Sequence, residues 1–151
     1  MPPPGAEHGA VSATLAGLLW QHVRERGLGR VLAGDPGFIL QRNPDSVRAP
    51  DVAFLSQSRL PAGGIPEKHW PGAPDVAAEV ISPEDRPGAI DEKVSDWLAA
   101  GTRVVWLVRP RERTVTVHRQ GADPVVLHES DVLDGGDVIP GFRCRVSEVF
   151  S

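Results

Sequence analysis

The spacing of apolar residues changes character along the chain, and each change marks an element. Val11, Leu15, Leu18, Leu19, His22 and Val23 recur at helical spacing, which predicts an amphipathic helix ended by Gly27-Leu28-Gly29. Ser12 or Thr14 is the expected cap, and the Pro/Gly-rich residues 1–10 are expected to be flexible. Segments 30–33 and 37–41 are short strand candidates around a Gly-Asp-Pro-Gly turn at 34–37. A further strand is expected after Pro50, with Asp51, Ala53 and Leu55 on one face. Residues 60–74 hold four prolines and three glycines and predict a long loop, of the kind that serves as a lid or a partner contact.

The stretch 75–101 reads as strand, turn, helix. Val76, Ala78 and Val80 alternate with Ala77, Glu79 and Ile81, so Glu79 points into an otherwise apolar face. Two prolines and a glycine between Ser82 and Gly88 end that strand. Ile90, Val94, Trp97 and Leu98 then form a helical stripe, with Lys93 at its boundary and Gly101 as the expected C-terminal cap. Residues 104–108 are apolar enough for a central strand, and 114–118 should pair with it antiparallel across the turn at 109–113. Residues 125–127 read as a short strand and 146–150 as a final helical turn. This order implies an α/β or α+β chain with a mixed sheet. No repeat or linker divides it, so residues 1–151 are expected to form one domain.

Composition narrows the functional classes. The net charge of −4 excludes a general polycation, so any nucleic-acid binding needs a local basic patch. A lone cysteine, Cys144, rules out an internal disulfide framework and fits a reducing compartment. No apolar run approaches the roughly 20 residues of a membrane span. A cytoplasmic, non-membrane protein is expected.

Three ionisable residues stand out by position: Asp51 at a strand start, Glu79 within a strand and Lys93 on the next helix. Two carboxylates on adjacent strands can share a hard cation such as Mg²⁺. An ammonium nearby can orient a water or offset transition-state charge. Each residue also has a plainer reading. Asp51 could cap a turn, Glu79 could pair with an arginine such as Arg103, and Lys93 could be an ordinary helix lysine reaching for solvent.

The segments Arg48-Ala-Pro-Asp-Val-Ala-Phe, Ala73-Pro-Asp-Val-Ala-Ala-Glu-Val-Ile-Ser-Pro, Glu92-Lys-Val-Ser-Asp-Trp-Leu-Ala-Ala-Gly, Val105-Trp-Leu-Val, Thr114-Val-Thr-Val-His and Asp137-Val-Ile-Pro-Gly-Phe occur in one order. In this the chain resembles the Uma-type restriction endonucleases, a bacterial group of the PD-(D/E)XK nuclease superfamily. The resemblance implies a restriction-endonuclease-like core, a mixed sheet flanked by helices, with a metal site at one sheet edge. It places Asp51 and Glu79 as ligands of Mg²⁺ or Mn²⁺, with Lys93 as the third catalytic residue. The superfamily usually carries lysine two residues after the second acid, where this chain has Ile81, and Lys93 would replace it from the helix. Family members usually begin with a helix and a hairpin before the element that Glu7-His8-Gly9 resembles, and this sequence begins almost at that element, as either a truncated or a genuinely short member would. An uncovered edge strand and a missing supporting acid are therefore expected, with Glu7 the nearest substitute.

Several other residues are weaker candidates for substrate contact. His8 and His69 are lone histidines, Trp70 could stack on a base or anchor an interface, and Arg109, Arg111 and Arg113 form a basic turn. Trp97 and Trp106 read as packing residues. Ser82 has no base beside it in the sequence, which argues against a serine hydrolase. The resulting expectation is a homodimeric, Mg²⁺- or Mn²⁺-dependent endonuclease acting on DNA. The competing expectation is a catalytically idle member that serves as a binding or assembly module.

Overall fold

A computed structural model describes residues 3–151. Helix α1 (Ala6–Arg26) lays Val11, Leu15, Leu19 and Val23 onto one face of the main sheet. It begins further upstream than expected, with Gly5 as its N-cap. Pro3 and Pro4 lack the N–H groups a helix interior needs, while Glu7 favours a first turn by facing the positive end of the helix dipole. The flexibility expected for residues 1–10 is thus corrected for 6–10, which are helical, and residues 1–2 lie outside the described part. Neither Ser12 nor Thr14 caps: both lie within the helix, and the Thr14 hydroxyl donates back to the Ala10 carbonyl. Gly27 does end it, in the left-handed conformation.

The chain then gives β1 (Gly29–Ala33), β2 (Phe38–Gln41), β3 (Ser46–Arg48) and β4 (Val52–Ser56). The loop after β4 holds a two-residue strand, β5 (Trp70–Pro71), and leads into β6 (Val76–Val80). Helix α2 (Pro87–Ala99) connects β6 to β7 (Val104–Arg109), followed by β8 (Thr114–Arg119) and β9 (Val125–Leu127). The tail forms β10 (Val132–Asp134), β11 (Arg143–Arg145) and the short α3 (Val146–Val149). Helix α2 starts with Pro87 at its first turn, where a missing N–H does no harm. Its C-cap is Ala100, one residue before the expected Gly101, which follows at a φ of 106°.

The main sheet runs β1-β4-β6-β7-β8-β9. Its β6–β7 pair is parallel and its other pairs antiparallel, so α2 is the crossover that parallel strands require. The predicted β7–β8 hairpin is present. The segments around the Gly-Asp-Pro-Gly turn are both strands, but they do not pair with each other. β1 joins the main sheet through β4, while β2 sits between β3 and β5 in a separate small sheet. The hairpin β10–β11 was not anticipated from the sequence.

Alternation on the central strands divides the core into two layers. Val52, Phe54, Val76, Ala78 and Val80 face α1, together with Trp106 and the tail residues Ile139, Phe142 and Val146. Ala53, Leu55, Ala77, Val105 and Leu107 face Phe38, Trp70 and the Ile90, Val94 and Trp97 stripe of α2. Burying a side chain of this size contributes roughly 1.5–3 kcal/mol, so both helices are fixed firmly against the sheet. Asp51 and Glu79 continue the second layer towards one end of the sheet.

Candidate metal centre

Strand pairing brings the two carboxylates together. Val52 pairs with Ala78 and Ala53 with Ala77, and the Asp51 N–H donates to the Ala78 carbonyl at 3.1 Å. One step further along this register, Asp51 stands opposite Glu79, on the same face of the sheet. Both line a cleft of about 630 Å³, and Lys93 from α2 lines it too. Its remaining wall includes Asp35, Ser82, Asp85 and the residues 3–5 before α1.

Glu79 is 5 % exposed. The Trp97 indole N–H donates to its Oε2 at 2.9 Å, from the buried face of α2. Desolvation dominates and pushes the carboxyl up to about 7, while Trp97 and the nearby Lys93 pull it down. The alternative Arg103 partner is elsewhere, 3.0 Å from Asp137. Asp51 is held at both oxygens: Oδ2 accepts the Val80 N–H at 2.7 Å, and Oδ1 lies 3.1 Å from Nε2 of His8. Burial again raises its carboxyl, opposed by the Val80 N–H and by His8, and Asp35 adds to the upward push. The turn-cap reading of Asp51 does not describe this geometry, because its partners come from β6 and α1.

Lys93 is half-buried and lies between Glu92 and Asp96 on a helix that Arg48 grips. The Arg48 guanidinium donates to Asp96 Oδ2 at 2.6 and 2.9 Å and reaches Glu92 at 3.9 Å. That contact ties β3 to α2. Ile81 also lines the cleft, so an apolar side chain stands two residues after Glu79.

The weaker candidates separate. His8 joins the cleft. Trp70 is only 6 % exposed and packs in the second core layer, so no indole face is free to stack on a base. His69 rests against Gly37 and is not among the residues lining the cleft. Arg113 turns away to Glu129 at 2.8 Å and covers the Phe150 ring. Arg109 and Arg111 line a second cleft, which shares Ile81, Ser82, Asp85 and Ile90 with the first. Glu7 lines that second cleft rather than the first. Trp97, assigned to packing from its spacing, packs and also holds Glu79. Its place one helical turn beyond Lys93 was the available signal.

The donor set suits a hard divalent cation. Mg²⁺ typically takes one or two carboxylates and completes its shell with water and substrate phosphate. Asp51 and Glu79 are the two carboxylates that could supply that pair, and a buried carboxylate would gain from a cation beside it. Among the described residues no cluster of three or more His, Cys, Asp or Glu side chains is placed to hold a metal. A cation here would therefore depend on water and substrate oxygens. No helix among the described residues is long and apolar enough to cross a membrane.

Residues 1–147 match the Uma2 family, described as "Putative restriction endonuclease". Among solved structures, the chain is similar to a "putative nuclease belonging to DUF820" from Anabaena variabilis ATCC 29413. The TM-score is 0.87 at 21 % identity, covering 99 % of this chain and 83 % of the other, a likeness of fold. No curated protein matches.

Proposed function

The chain belongs to the Uma2 family, and from that membership and the geometry above we propose that it is a metal-dependent nuclease that hydrolyses DNA phosphodiester bonds. The observation that carries the reading is the register that sets Asp51 opposite Glu79 in a cleft also lined by Lys93. Asp51 and Glu79 would hold Mg²⁺ or Mn²⁺. When bound, such an ion polarises a phosphodiester oxygen and makes a bound water more acidic.

The chain's own groups do the rest. Burial favours the protonated form of Glu79, and a cation at the site would favour its carboxylate, with the proton passing to solvent. The Lys93 ammonium orients the attacking water and offsets charge on the phosphoryl oxygens in the transition state. Ile81 and Ile90 keep one wall of the cleft apolar, which strengthens these charge interactions. Cutting both strands of a duplex calls for two such sites, so a homodimer is the expected working form. The buried, unpaired Cys144 fits a cytoplasmic setting.

Mn²⁺ titration by calorimetry tests this without knowledge of the target sequence. Wild type is expected to bind, and Asp51→Ala and Glu79→Ala to lose binding. Mn²⁺-dependent nicking of plasmid DNA should then disappear in Lys93→Ala. A second reading, a catalytically idle binding or assembly module, is favoured by one observation. His8 and Val80 already satisfy Asp51, and Trp97 already bonds Glu79, with no cation needed. Absence of Mn²⁺ heat in wild type, even with non-cleavable DNA present, would decide for that module.

A further inference from the structure

Resting on that reading, we propose that His8 is a positioning residue that holds Asp51 in the orientation a divalent cation requires. Two carboxylates facing each other across adjacent strands repel, and each can relieve the repulsion by turning its side chain away. Glu79 is held from behind by Trp97 of α2. For Asp51, the Val80 N–H fixes Oδ2 alone, and rotation about the carboxylate would still be open. His8 fixes the other oxygen. An ionised carboxylate can only accept, so the imidazole Nε2 must carry the hydrogen.

The position of His8 suits this work. It lies in the first turn of α1, a helix anchored on the opposite face of the sheet by Val11, Leu15, Leu19 and Val23. Its side chain is 15 % exposed and reaches over the end of the sheet into the cleft. The acids lining that cleft are Asp35, Glu79, Glu84 and Asp85, besides Asp51 itself. Of these, His8 meets Asp51. Helices on both faces of the sheet thus each supply one donor to the carboxylate pair. Partners of this kind typically change metal affinity rather than fold.

The test compares Mn²⁺ affinity of the full chain by calorimetry in wild type, His8→Ala and His8→Gln, with Asp51→Ala as the empty control. The glutamine amide nitrogen can stand where Nε2 stands and keeps the donor. His8→Ala is expected to bind about 10- to 100-fold more weakly, with His8→Gln within roughly threefold of wild type. Circular dichroism and melting curves check that each variant is folded. If His8→Ala fails to fold, His8→Phe keeps the ring and removes the donor, and it carries the comparison. Equal affinity of wild type and the donor-less variant would overturn the positioning role alone. So would a His8→Gln as weak as His8→Ala, since the imidazole itself would then be what matters. If wild type binds no Mn²⁺, the functional reading falls and this inference with it.

Discussion

Glu79 carries the clearest consequence at the scale of one residue. Its native carboxyl is raised from 4.5 to about 7, so the folded protein keeps a proton that the unfolded chain has already released. Stability from this group is fully present below about pH 4.5 and is lost as pH rises through about 7. The melting temperature of the metal-free protein should fall across that window, and Glu79→Gln should flatten the fall. Parallel melting curves for the two proteins would contradict it. Mn²⁺ binding below about pH 7 should release a proton at Glu79, visible as a binding heat that depends on the buffer's own ionisation heat. Trp97→Phe removes the indole donor while keeping an aromatic ring in the core. It should cost about 1–2 kcal/mol in a urea titration and also weaken Mn²⁺ binding.

Among the elements, β1 depends on one glycine. Gly29 has a φ of 150°, and a Cβ there would collide with the Leu55 carbonyl across the β1–β4 pair. Gly29→Ala should therefore destabilise the fold by about 1–3 kcal/mol, measured as a lower urea midpoint, without touching the cleft. Which elements could be read from sequence follows from their length and neighbours. β6, α2, β7 and β8 have enough residues for a period to show, and all were legible. β3, β10 and β11 have three residues each and β5 has two, too few for alternation to show, and the partner of β5 is the remote β2. Helix α1 was legible in its apolar stripe but not in its start, because a glycine N-cap without a side-chain bond leaves no distinctive cap residue. The candidate site divides in the same way. The inward direction of Glu79 is set by local alternation, so sequence reveals it. The contacts of His8 with Asp51 and of Trp97 with Glu79 depend on how two helices lie on opposite faces of the sheet, which no local pattern encodes.

For the whole molecule, charge sets the terms of any meeting with DNA. A net charge of −4, with acids at Asp35, Asp51, Glu79, Glu84 and Asp85 around the cleft, opposes approach of a phosphate backbone. Without metal, binding to a fluorescent duplex at physiological salt should be weak, with Kd no tighter than about 10⁻⁴ M. Adding Ca²⁺, which suits the same oxygen ligands, should tighten it, and Asp51→Asn should abolish that gain in anisotropy titrations. Tight, metal-independent binding would place the DNA contact away from this cleft.

The pairing of β4 with β6 also makes the site a gauge of folding. Asp51 and Glu79 are far apart along the chain and would share a cation only once the strands between α1 and α2 have zipped into register. The unfolded chain offers no such pair, so metal becomes a ligand of the native state alone. By mass action, Mn²⁺ at a hundred times its Kd should add about 2.7 kcal/mol to unfolding. A metal-dependent rise in melting temperature would thus report the assembled sheet even where the nucleic-acid target is unknown.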